Sequence, residues 1–146
     1  MTMKVKIKRI DKAVALPGYK TKESAGFDFF CRESVTIGPK EVKIISSNNI
    51  IEAPRGYFLA VLARSSLFLK KGLMLANAMG VIDRDFSGPE DEIGLILWNP
   101  GVESVTVEKG ERIAQGLFIP VNQADWEEVD EVRVDSRGGF GSTGAN

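Results

Sequence analysis

Alternation of polar and apolar positions recurs along the chain and predicts a protein built from strands. Lys4, Lys6 and Lys8 interleave with Val5 and Ile7. That is the pattern of a first strand, Val5–Ile7, with one wet face. Further short runs rich in β-branched or aromatic residues predict strands over Gly26–Cys31, Val42–Ile45, Tyr57–Leu62, Ile93–Trp98, Ser104–Val107, Ile113–Val121 and Val129–Val134. Turn signals divide them: Pro17-Gly18, Gly38-Pro39, Pro54-Arg55-Gly56, Gly88-Pro89, Asn99-Pro100-Gly101 and Lys109-Gly110. Turns spaced by roughly 8–12 residues suit a sandwich or barrel. Only Ser65–Lys71 has room for about two helical turns. Ile93–Trp98 and Ile113–Ile119 are nearly continuous apolar runs. Strands of that kind are buried on both faces, which in a small all-β domain favours an oligomer, with a well-covered sandwich centre as the alternative.

Composition narrows the chemistry. The chain has 146 residues, of which 43% are hydrophobic, one domain's worth. Its net charge of −1 argues against nucleic-acid binding. There is no histidine, so the usual general base and the commonest transition-metal ligand are missing. Cys31 is the single cysteine, which excludes an intrachain disulfide, a zinc cluster and a Cys–His nucleophile. A metal here is expected to be a hard cation held by oxygens, Mg²⁺ first. No apolar run approaches the ~18 residues of a membrane span, and the start lacks signal-peptide character. A soluble, cytoplasmic protein without membrane contact is the expectation. The domain is expected to occupy residues 1–134, followed by a glycine-rich lid over residues 135–146.

Five polar constellations stand out. In Ala25-Gly26-Phe27-Asp28, a carboxylate lies among phenylalanines and needs a salt bridge or a metal-bound water. Arg64-Ser65-Ser66 offers a guanidinium fork and two hydroxyls, suited to phosphate or to capping a short helix. In Gly80-Val81-Ile82-Asp83-Arg84-Asp85-Phe86, two acids two residues apart share a face if the segment is a strand. In a turn they instead bind backbone N–H groups. Gln115 is a lone amide in an apolar strand, able to donate to an anion or to a neighbouring strand. The tail Arg137-Gly138-Gly139-Phe140-Gly141-Ser142-Thr143-Gly144 combines a cation, a flat ring, hydroxyls and bare N–H groups. These suit a flap over a phosphorylated, flat ligand.

Taken in order, the five segments resemble the motifs of the trimeric dUTPase family, over residues 24–144. The resemblance implies an all-β, jelly-roll-like distorted β-barrel assembled as a homotrimer, with active sites at subunit interfaces. It implies Mg²⁺-dependent hydrolysis of dUTP to dUMP and pyrophosphate by water attack on the α-phosphorus. That reaction limits uracil in DNA and supplies dUMP for dTMP synthesis. Asp83 would be the base that orients and activates the water. Asp28 would hold Mg²⁺ through water. Arg64, Ser65, Ser66 and Gln115 would grip phosphates. Asn77, Gly80, Val81 and Ile82 would belong to the hairpin that reads uracil. Phe86 would lie under the deoxyribose and exclude a 2′-hydroxyl. Arg137 would reach the γ-phosphate and Phe140 would stack on uracil, with Gly141, Ser142 and Thr143 completing the lid. The sequence departs from the family pattern in three places. Phe86 stands where tyrosine is usual, Pro89-Glu90-Asp91 lengthens a normally tight turn, and Arg137 and Phe140 are only three apart. The dCTP deaminases share this fold. Gly80–Phe86 and the glycine-rich tail favour hydrolysis over deamination.

Overall fold

The structure is a computed structural model and describes residues 2–139 and 141. A four-stranded antiparallel sheet carries most of the site candidates. Its order is β2 (Phe27–Phe30), β11 (Arg112–Pro120), β6 (Tyr57–Ala63) and β8 (Met79–Ile82). A second sheet orders β4 (Val42–Ser46), β9 (Gly94–Trp98) and β7 (Met74–Leu75). Two ribbons complete the strands: β1 (Lys6–Arg9) with β5 (Asn49–Glu52), and β3 (Val35–Ile37) with β10 (Val105–Val107). One short helix, α1 (Leu67–Lys71), follows β6. Gly72 ends it in the left-handed region, at φ 66°, and its N–H donates to the Phe68 carbonyl. The all-β architecture is the expected one.

Period-two patterning builds the core. In β2, Phe27 and Phe29 point inward while Asp28 and Phe30 take the other face. In β9, Leu95 and Leu97 are fully buried. They join Phe29, Ile45, Leu59, Leu73 and Ile113 in one apolar cluster. Each such side chain contributes roughly 1.5–3 kcal/mol of burial. Gly116 is required by this packing, because a methyl there would lie 2.6 Å from Phe27 Cζ and 2.9 Å from Phe29 Cε2.

A bulge in β11 decides which residues face the site. Arg112 pairs with Phe30 and Ala114 with Phe29, so Ile113 is the extra residue. Ile113 and Ala114 are therefore both buried, and Gln115 comes level with Asp28. A slip of one residue would send Gln115 to the opposite face.

The strand expected over Val129–Val134 does not form. Among the described residues the last strand ends at Pro120, and residues 121–139 are exposed. Val132 and Val134 are 89% and 91% exposed. β-Branched residues favour a strand only when a partner edge is available, and this segment pairs with none in its own chain. The Pro89-Glu90-Asp91 insertion is accommodated by a closed turn. Gly88 N–H donates to Asp91 Oδ2 at 2.7 Å, and Asp91 N–H returns to the Gly88 carbonyl at 3.2 Å.

Candidate active site

Asp28, Gln115 and Leu62 lie side by side across β2, β11 and β6. Arg64 is two residues past Leu62, just beyond the end of β6. Its side chain reaches back over β11, and Nε donates to Asp28 Oδ1 at 2.8 Å. Two strand spacings of about 4.8 Å separate β6 from β2, a span that a guanidinium stem and a short carboxylate cover together. Arg112 Nη1 donates to Asp28 Oδ2 at 3.2 Å, and Arg64 Nη1 donates to the Arg112 carbonyl at 3.3 Å. Asp28 thus takes the salt-bridge option, with both oxygens engaged and its side chain 15% exposed. Arg112 is the member of this cluster that the sequence did not single out. The sequence marks it only as the charged residue that precedes the apolar run from Ile113.

Gln115 takes the neighbouring-strand option, donating from Nε2 to the Ala63 carbonyl at 2.9 Å. Its Oε1 lies against Gly26, where a methyl would come within 2.7 Å. Gly26 therefore makes room for the amide. Ser66 occupies the N-cap position of α1 but makes no capping hydrogen bond. Exposed Ser65 and half-buried Ser66 stand next to Arg64 at this end of the sheet.

The other acids occupy a turn, not a strand. β8 ends at Ile82, and Phe86 N–H donates to the Asp83 carbonyl at 3.2 Å. Asp83 and Asp85 are exposed, and Phe86 is 41% exposed on the same turn. Asp83 accepts no side-chain hydrogen bond among the described residues. Before β8, Ala78 holds a left-handed backbone at φ 58°, and its N–H closes a turn to the Leu75 carbonyl. An alanine held there is strained. β8 is the edge of its sheet, so half of its backbone N–H and C=O groups have no strand partner. Asn77 Nδ2 lies 3.7 Å from where a Gly80 methyl would stand, and Val61 Cβ lies 3.2 Å from it. Gly80 is accordingly buried, while Val81 is exposed and Ile82 half-buried.

These two groups do not meet within one chain. Ile82 pairs with Leu59, so Asp83 emerges level with the start of β6, whereas Arg64 follows its end. Phe58 to Arg64 is six strand steps, about 20 Å. The described part of the tail joins neither group. From Asn122 on, the described residues make a single hydrogen bond, Gly138 N–H to Ser136 Oγ at 3.2 Å, and Arg137 is exposed. Phe140, Ser142 and Thr143 lie outside the described residues, while Gly141 holds φ 89°. A groove of about 660 Å³ between the N-terminal segment and residues 17–25 is lined by none of the expected site residues. Nor is a second groove, of about 230 Å³, beside Ser87–Pro89.

Burial pushes the Cys31 thiol up, and its Sγ donates to the Glu33 carbonyl at 2.6 Å. Cys31 is therefore a packed, unreactive residue.

A braced arginine with hydroxyls and an amide stands at one end of the sheet of this all-β protein, and an exposed acid at the other. Residues 12–144 match the family model described as dUTPase. The chain is 42% identical to the deoxyuridine 5′-triphosphate nucleotidohydrolase of Nautilia profundicola, over 97% of this chain and 99% of that one. It is equally 42% identical to the protein of that description from a Hydrogenobaculum species, again over 97% and 99%. Among solved structures it resembles the dUTPase of Staphylococcus bacteriophage 80alpha with dUpNHpp, at 26% identity and a TM-score of 0.86, covering 99% of this chain and all of that one. The chain belongs to the dUTPase family and is a hydrolase.

Proposed function

We propose that this protein hydrolyses dUTP to dUMP and pyrophosphate, at sites completed by neighbouring copies in a homotrimer. The observation that carries the shared site is the separation of Asp83 from Arg64 along β6. Six strand steps, about 20 Å, are too many for both residues of one chain to serve one reacting phosphate. Each site therefore takes its acid from one copy and its phosphate grip from another.

In this reading Arg64, Ser65, Ser66 and Gln115 bind the phosphate chain, with Arg112 beside them. A guanidinium already oriented by a carboxylate loses little freedom on binding an oxyanion. Asp83 orients the water that attacks the α-phosphorus in line and accepts its proton. The Pα–O bond to the β-phosphate breaks, and pyrophosphate leaves. Asn77, Gly80, Val81 and Ile82 read uracil, the free backbone edge of β8 supplying donors and acceptors. Phe86 packs under the deoxyribose and leaves no room for a 2′-hydroxyl.

Residues 135–146 serve as the lid, with Arg137 on a phosphate, Phe140 on the base, and Gly141, Ser142 and Thr143 closing over the ligand. Among the described residues no three metal-binding side chains converge. The metal must then take most of its ligands from the substrate's oxygens and water, which suits Mg²⁺. A carboxylate has about four lone-pair sites. Asp28, with two guanidinium bonds, keeps capacity to accept from a metal-bound water. The bound ion would supply charge neutralisation on the triphosphate. Among the described residues no helix is long and apolar enough to cross a membrane. We place the activity in the cytoplasm, among the nucleotide pools.

Pyrophosphate release from dUTP, dCTP, dTTP and UTP, with and without Mg²⁺, tests the reading. Metal-dependent release from dUTP alone is expected. Ammonia from dCTP would point to deamination instead, and UTP turnover comparable with dUTP would sink the sugar filter. Removing residues 137–146 should leave assembly intact and lower kcat/KM sharply. Full kcat/KM in the truncated protein would remove the lid.

A further inference from the structure

We propose that Glu52 is a positioning residue for the reaction, holding the Asp83 turn in place through Arg84. The inference rests on the reading of Asp83 as the group that orients the attacking water.

β8 is attached to β6 only as far as Ile82, one residue before Asp83. With no side-chain hydrogen bond to the Asp83 carboxylate, its position depends on the backbone that follows. Two bonds shape that backbone: Phe86 N–H to the Asp83 carbonyl, and Ser87 Oγ to the Arg84 carbonyl at 3.0 Å. Both are internal to the turn and do not tie it to the body. The tie is made by Arg84, whose Nη2 donates to Glu52 Oε1. Glu52 closes β5 opposite Lys6, and its Oε2 lies 3.0 Å from Lys6 Nζ. One carboxylate thus joins the turn to the β1–β5 ribbon. Lys8 Nζ, at 3.5 Å from the Pro89 carbonyl, adds a weaker strap beyond the turn.

The Glu52 side chain is 23% exposed and that of Arg84 47%. An ion pair this open adds little to global stability. Its effect on rate is of another size, because displacing a catalytic group by about 1 Å can cost on the order of 100-fold. The clamp should therefore act on turnover far more than on folding. It also gives the ribbon, which supplies no residue to the phosphate grip, a part in the chemistry.

The experiment is steady-state dUTP hydrolysis by the full chain with Mg²⁺, for E52Q, R84M, the double variant and D83N. E52Q and R84M should each lower kcat about 10- to 100-fold, with KM changed by less than about threefold. The double variant should be no slower than R84M alone, since both remove the same tie. Wild-type kcat in E52Q overturns the clamp. So does an E52Q loss that persists at full size in the R84M background, which would mean that Glu52 acts through Lys6 or the fold at large. Should E52Q fail to fold, the exposed Arg84 decides. A low kcat in R84M, partly regained in R84K, supports the clamp, and an unchanged kcat in R84M overturns it. D83N separates the two levels. Full turnover in D83N overturns the reading of Asp83 itself, whereas a dead D83N beside a fully active E52Q overturns only the clamp.

Discussion

Asp28 braces Arg64: Oδ1 accepts from Nε at 2.8 Å across the width of two strands. The acid that the motif resemblance linked to a metal-bound water is first a rigid support for the Arg64 guanidinium. Arg112 on the other oxygen makes the support symmetrical.

Replacing Asp28 by Asn keeps the shape but removes the charge between two guanidiniums. Arg64 then loses its preset direction, and KM for dUTP should rise about tenfold or more. Excess Mg²⁺ should not restore it. Recovery of wild-type KM at high Mg²⁺ would show that holding metal-bound water is the residue's main duty.

Two glycines, Gly116 in β11 and Gly26 just before β2, should separate stability from activity. At Gly116 a methyl meets the rings of Phe27 and Phe29, which are locked in the core. G116A should cost about 1–3 kcal/mol and lower Tm by several degrees. At Gly26 the methyl meets the end of Gln115, a mobile amide. G26A should leave Tm nearly unchanged, yet weaken substrate binding by displacing that amide. Thermal melts and dUTP kinetics on the two variants check the contrast.

Mixed assemblies test the shared site. D83N and R64A proteins should each be nearly inactive. Refolded together at equal amounts, they should recover about a quarter of wild-type activity, because random association restores some sites with both residues intact. Asp83 and Arg64 serving one site from one chain would give no recovery.

Acid should destabilise the fold through three carboxylates held below their ordinary values. A hydrogen bond from Lys109 is the largest cause at Asp11, the Gly38 backbone N–H at Glu41, and Lys6 at Glu52. In each case the unfolded chain binds the proton more readily. Their contribution is complete above the ordinary values of 3.8 and 4.5, and is lost as pH falls through the lower folded ones. Urea midpoints should therefore decline below about pH 4, and E52Q should flatten part of that decline.

Much of this protein is written in its sequence. Alternation marked most of the strands, and the short helix was legible between Arg64 and Gly72. The absence of histidine and the solitary Cys31 set the permitted chemistry. The five motifs, read in order, marked the family and the candidate residues. These features are local or compositional, and local spacing translates directly into strand faces, turns and side-chain chemistry.

Tertiary structure decided the rest. Whether Asp28 meets a metal-bound water or a guanidinium depends on residues 36 and 84 positions away. No periodicity reports that distance. The bulge at Ile113 sets the face of Gln115 through a pairing register that exists only once β2 and β6 are in place. Val129–Val134 carries strand-forming residues but finds no edge in its own chain, so propensity alone could not make it a strand. The sequence named Asp83 and Arg64 as parts of one chemistry. Only the register of β6 against β8 shows that they leave the sheet at opposite ends, because a strand separates its neighbours by length that the motifs do not encode.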